Sequence, residues 1–167
     1  MPKPTQPQST GGIAILSDIH ANIDALGAVL TDLADQLCFS VFCLGDTIGY
    51  GPEPAACVKY MREFAPINLM GNHEAMYLAT KPKGKKITCY TPGKDPIALD
   101  PDCRYAIGVG SVGQPRDDDP RACYVIYYPG SERVECRRVS YDIKKAQARF
   151  RKAGLSEFDA ARIAKGS

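Results

Sequence analysis

Three times in its first 75 residues the chain follows a short apolar run with a polar turn. Ile13-Ala14-Ile15-Leu16 lies between glycines and Ser17, a pattern that suits a buried parallel strand. Residues 21–36 place Ile23, Leu26, Val29, Leu30 and Leu33 at three- and four-residue spacing. Asp24, Asp32 and Asp35 fall on other faces, so the spacing predicts a helix beginning near Asn22. Residues 38–45 (CFSVFCLG) read as a second strand. Pro54 then suits the first turn of a helix with Cys57, Val58, Met61 and Phe64 inward. A third strand, PINLM, follows at 66–70.

The second half of the chain has a different rhythm. A short strand is expected at 97–99 and another at 104–111 (RYAIGVGS), ending in a glycine-bearing turn. Residues 122–128 and 132–140 alternate strongly and are joined through Pro129-Gly130, so they predict a β-hairpin. Asp142 can cap a helix with Ile143, Ala146 and Phe150 inward and Gly154 as its stop. Ser156 and Asp159 have the spacing of a capping box for a last short helix.

Composition narrows the class without naming a partner. The chain has 167 residues, 44% of them hydrophobic, and a net charge of +2. That suits one domain over 11–167, after a polar, Pro-rich tail at 1–10 that reads as disordered. No apolar run reaches membrane-span length and the tail lacks a signal core, so a cytoplasmic protein without a membrane partner is expected. Seven cysteines occur without a CxxC pair. Cys38, Cys43, Cys57, Cys123 and Cys136 lie within expected elements and read as reduced core thiols. From Ser131 onward ten Lys/Arg face five Asp/Glu, interleaved as on a solvated helix face, so a nucleic-acid partner is not indicated.

The chemistry sits where the early strands end. Asp18 and His20 follow the first strand, Asp46 the second, and Asn72-His73 the third. Open α/β sheets place ligands at the carboxyl ends of their strands. In an extended segment residues two apart point to one side, so Asp18 and His20 can share a metal ion.

SDIHAN, CLGDTIGYGP and GNHE, in that order and at βα spacing, resemble the first three motifs of the calcineurin-like metallophosphoesterases. The small bacterial and archaeal phosphodiesterase-type branch is the most similar, and GSVGQPRDDDPRACYVIYY with the following hairpin and helices resembles its carboxyl-terminal part. The resemblance implies an α/β fold, a metallophosphoesterase-like β-sandwich flanked by helices. It also implies that Asp18 and His20 bind a first metal, Asp46 bridges to a second, and Asn72 binds that second ion. His73 would act on the leaving oxygen, with Glu74 orienting its ring. The implied activity is hydrolysis of a phosphodiester or phosphomonoester by a metal-activated water, on a phosphorylated small molecule or a phosphodiester substrate.

The chain departs from that pattern in one respect. The family's later His-Gly and Gly-His-x-His motifs supply three more histidine ligands, and this chain has only two histidines, His20 and His73. The gap falls at KPKGKKIT (81–88), within a shortened linker region at 81–103. A depleted donor set leaves more water around the ion and suits hard Mg²⁺ or Mn²⁺. Asp117, Asp118 and Asp119 read as a solvated turn rather than substitute ligands. Arg116 either holds a phosphate bidentately or pairs within that turn. A catalytically degenerate binding or scaffold module is the alternative to an enzyme. A sheet lacking interior strands would also expose apolar edges that could pair as a homo-oligomer.

Overall fold

The computed structural model of the chain describes residues 11–77, 97–99 and 107–167. The expected tail at 1–10 and nearly all of the 81–103 linker lie outside them, as do Cys89 and Cys103. Three βα units come first: β1 (Gly12–Leu16), α1 (Ile23–Ala34), β2 (Cys38–Cys43), α2 (Pro54–Phe64), β3 (Ile67–Asn68) and α3 (Asn72–Tyr77). Then follow β4 (Ile97–Ala98), the hairpin β5 (Ala122–Tyr128) and β6 (Arg133–Val139), α4 (Ile143–Lys152) and α5 (Glu157–Lys165). Among the described residues the strands form one six-stranded sheet in the order β3-β2-β1-β5-β6-β4. β1, β2 and β3 are parallel, whereas β5 pairs antiparallel with β1 and with β6. No helix among these residues is long and apolar enough to cross a membrane.

Alternation along the strands sorts the two faces. Ala14, Leu16, Ala122, Tyr124 and Ile126 meet Leu26, Val29 and Leu33 of α1 and Cys57 and Met61 of α2 in the main core. Burial pushes the Cys57 thiol up to about 12, so it packs as an inert hydrophobe. The opposite face carries a smaller cluster in which Val125 and Val134 pack against Val109, with Ile15, Ile107 and Leu99 alongside.

Most of the expected elements form where the pattern puts them. Asn22 caps α1 by accepting from the Ala25 amide, and Asp142 and Ser156 cap α4 and α5 in the same way. Three expectations need correction. Phe64 is exposed and stacks on Tyr60, because α2 turns only Cys57 and Met61 fully inward. Only Ile67–Asn68 of PINLM pairs as a strand, since β2 ends at Cys43 and offers no ladder beyond it. Of the expected strand at 104–111, the described residues from 107 are irregular rather than extended. Gly110 has φ 74, and the Val112 and Gly113 amides donate to the Ser17 and Asp18 carbonyls. That segment therefore closes over the end of β1 instead of extending the sheet.

A charged joint ties helix to hairpin. Arg137 of β6 donates from Nε and Nη2 to the two oxygens of Asp32 on α1, at 2.9 and 3.0 Å. The Tyr124 hydroxyl donates to the same carboxylate at 2.6 Å. The Arg137 bonds, with help from Tyr124 and against the cost of burial, hold the Asp32 carboxyl below its ordinary 3.8. A depressed carboxyl stabilises the fold above its unfolded pKa, and that contribution disappears as pH falls through the folded value. Asp32→Asn is therefore expected to lower the unfolding free energy by about 1–3 kcal/mol near neutral pH. Urea melts across pH should show the gap closing below about pH 4.

Candidate metal centre

The loops after β1, β2 and β3 meet at the carboxyl end of the parallel strands. Backbone bonds lace the first two together: Asp18 donates to the Gly45 carbonyl, His20 to Asp46 and Ala21 to Thr47, at 2.9–3.1 Å. Asp18, His20, Ala21 and Asp46 all have φ near +50 in the left-handed region. Non-glycine residues rarely adopt it, and such strain concentrates at functional sites. Asp18 and His20 do come together, but through this turn and not through strand alternation, which corrects the expected route.

His20 Nε2 lies 3.3 Å from Asp18 Oδ1, with the imidazole only 3% exposed. The Ser17 hydroxyl donates to Asp18 Oδ2 at 2.7 Å. Burial pushes the Asp18 carboxyl up, but bonds from His20 and Ser17 and the nearby charge of Arg116 outweigh it and leave the group below its ordinary range.

Glu74 does something other than orient an imidazole. Its Oε2 accepts from the Asp46 and Gly71 amides, both at 2.8 Å, and its Oε1 accepts from the Ile48 amide at 3.1 Å. Burial raises this carboxyl and the backbone amides more than reverse that, so it lies below its ordinary 4.5. Glu74 is thus a staple between the β2 and β3 loops. Asp46 in turn accepts the His73 amide on Oδ1 at 2.8 Å. Gly71 has to be glycine here, because a Cβ would overlap that same carboxylate oxygen.

Three rings gather over these carboxylates. His73 lies 4.9 Å from His20, ring centre to ring centre, and Tyr50 lies 4.8 Å from His20 and 4.6 Å from His73. The His73 ring sits against Gly49, where any side chain would collide with Nδ1. Residue type alone gives Tyr50 no functional signal, and only its place between Gly49 and Gly51 marks it. The Gly51 amide donates to the Gly49 carbonyl at 2.6 Å, closing a three-residue turn around Tyr50, whose φ is 56. Arg116 rests over the Tyr50 ring at 5.8 Å and donates to Gln114 Oε1 at 3.1 Å. The acidic turn does not engage it: Asp117 pairs with Arg138, and Asp119 with Arg121. Arg121 holds the Asp119 carboxyl down at about 2. Asn72 opens α3 with its side chain exposed.

This donor set falls short of a dinuclear centre. Asp18 and His20 converge, but Asp46 Oδ1 is turned to the α3 backbone. Among the described residues no three His, Cys, Asp or Glu side chains form a cage. Asp18 and His20 are the pair that would hold a cation there, with water completing its shell.

Residues 12–114, from β1 through the loop that closes over it, match the family described as calcineurin-like phosphoesterase. The chain belongs to that family. A metallophosphoesterase from Sphaerobacter thermophilus has a similar structure, with 28% identity and a TM-score of 0.80, over 95% of this chain and 100% of that one. A hypothetical protein from Pyrococcus horikoshii OT3, 14% identical, shares the fold at a TM-score of 0.70 over 93% and 98% of the two chains. An uncharacterized protein of Methanocaldococcus jannaschii is 28% identical, over 87% of this chain and 94% of that protein. That alignment runs to 229 positions against the 167 residues here, so this member of the calcineurin-like phosphoesterases lacks residues that its relative has. The family typically uses divalent metals and its membership points to metal-dependent phosphoester hydrolysis.

If Glu74 staples the loops, Glu74→Ala leaves three amides without their acceptor. Its unfolding free energy should fall by about 2–3 kcal/mol, with amide exchange of Asp46, Ile48 and Gly71 accelerating most. Unchanged exchange at those three positions would remove the staple role.

Proposed function

We propose that this calcineurin-like phosphoesterase hydrolyses a phosphodiester or phosphomonoester bond with the help of Mn²⁺ or Mg²⁺. The observation that carries the reading is the Asp18–His20 pair at 3.3 Å with the His73 ring beside it. Asp18 and His20 would hold the cation, with Asp46 and Asn72 as the remaining oxygen donors of the site. A dication bound there supplies charge against the phosphoryl oxygens and lowers the pKa of water.

The rest falls to the chain's own side chains. Arg116, held by Gln114 and the Tyr50 face, offers two parallel N–H donors to phosphoryl oxygens. As the bond from phosphorus to the alcohol oxygen breaks, His73 gives that oxygen a proton. The oxygen of water forms the new bond to phosphorus, and the proton it loses passes to solvent. Glu74 takes no part in this transfer, because both its oxygens are bonded to backbone amides. The five free cysteines among the described residues suit a reducing, cytoplasmic setting. Exposed Ile67, Leu69 and Met70 at the β3 edge suit self-association.

One observation favours a second reading. The incomplete donor set suits a module that binds phosphoesters without turning them over.

Loading with Mn²⁺, elemental mass spectrometry and assay on bis-p-nitrophenyl phosphate separate the two. The hydrolytic reading expects at least one ion per chain and turnover that Asp18→Asn and Asp46→Asn abolish. His73→Ala should then cut kcat by about 10²–10⁴ with the ion retained. A bound ester with no turnover above the variants leaves the binding module.

A further inference from the structure

The two sides of the site differ in polarity. On the Asp18 side a cleft of about 330 Å³ carries the polar side chains of Ser17, Asp18, Ser111, Gln114 and Arg116 among apolar walls from Leu44, Ile107 and Val109. On the His73 side a second cleft of about 620 Å³ opens between the start of α2 and the end of α3. Its walls are Pro54, Ala55 and Val58 from α2 and Met76 and Tyr77 from α3, with His73 at the edge. Among the described residues no Asp, Glu, Lys or Arg side chain lines it.

Met76 and Tyr77 are 71% and 84% exposed, so this wall carries large apolar side chains that the fold does not bury. Ligand clefts that are mostly apolar, with one or two placed polar groups, take apolar ligand bodies and orient them by the polar group. Here the placed group is His73. Tyr50 contacts residues of both clefts, with Arg116 of the first over its ring at 5.8 Å and His73 of the second 4.6 Å from it, ring centre to ring centre.

We propose that the α2–α3 cleft receives the alcohol side of the substrate, so that the preferred phosphoesters are those of aromatic or otherwise apolar alcohols. This rests on the hydrolytic reading for the word substrate, but the cleft's selectivity is a matter of binding alone. The phosphoryl group lies towards Arg116, and the ester oxygen lies at His73. The carbon body then rests on Val58, Met76 and Tyr77. Glycerol- or sugar-like alcohols gain less from such walls, since Pro54, Ala55, Val58 and Met76 offer their hydroxyls no side-chain partner.

Phenyl phosphate and methyl phosphate carry the same anion on different alcohols. Each is titrated into the full chain, followed by NMR on the ring signals of its two histidines. Phenyl phosphate should bind at least about tenfold tighter, as burial of much of one ring face allows. It should also move the His73 signals more than methyl phosphate does. In the neutral double variant Val58→Thr/Met76→Gln the preference should fall towards unity while methyl phosphate binds as before. Equal affinities in the unaltered chain overturn the proposal with no variant needed, and so does a preference that survives both substitutions. Phenyl preference without metal-dependent turnover would end the hydrolytic reading and leave the cleft assigned. Turnover of both esters at equal affinity would do the reverse.

Discussion

The site depends on one carboxylate that faces away from solvent chemistry. Glu74 accepts three backbone amides from two loops, and in doing so fixes Asp46 against the start of α3. Amides at a loop crossing carry partial positive charge, and a half-buried anion among them is well partnered. The same contact forces glycine at 71 and holds His73 over Gly49. Asp18 and His20 are then locked to the crossing through backbone bonds to Gly45 and Asp46. The left-handed conformations of Asp18, His20 and Asp46 persist because their surroundings over-determine them.

On that frame the rings divide the site into two environments. Tyr50 reaches His20, His73 and Arg116 at once, from a tight turn that few non-glycine residues adopt. Asp18, Gln114 and Arg116 line the Arg116 side together with Leu44, Ile107 and Val109, whereas Val58, Met76 and Tyr77 wall the His73 side. A bond cleaved between these environments would have its anion and its carbon body on opposite sides of one aromatic ring. The arrangement therefore gives the site a direction as well as a set of donors.

Among the described residues the two faces of the sheet are covered differently. The helical face of the sheet is filled by α1 and α2, whereas the other face has a smaller cluster around Val109, Val125 and Val134. The irregular stretch ahead of Gln114 packs on that face and also supplies Ser111, whose hydroxyl donates to the Asp18 carbonyl at 2.9 Å. One segment thus covers apolar strand residues and braces the first metal-competent carboxylate.

Sequence by itself determined the three βα units, the hairpin and the caps at Asn22, Asp142 and Ser156. Each is specified by residues within a few positions of one another, through periodicity or a side chain reaching a nearby amide. It also placed Asp18, His20, Asp46 and His73 at one end of the sheet, because parallel strands must end together. It did not determine how they meet. The family resemblance implies that Glu74 orients the His73 ring, yet its bonds run to Asp46 and Ile48, more than 25 residues back. Tyr50, Gln114 and the apolar wall of Met76 gain their roles only once loops distant in sequence are stacked. Local patterns encode what neighbours along the chain can form, but left-handed turns, loop crossings and clefts are contacts between segments, and only tertiary packing decides those.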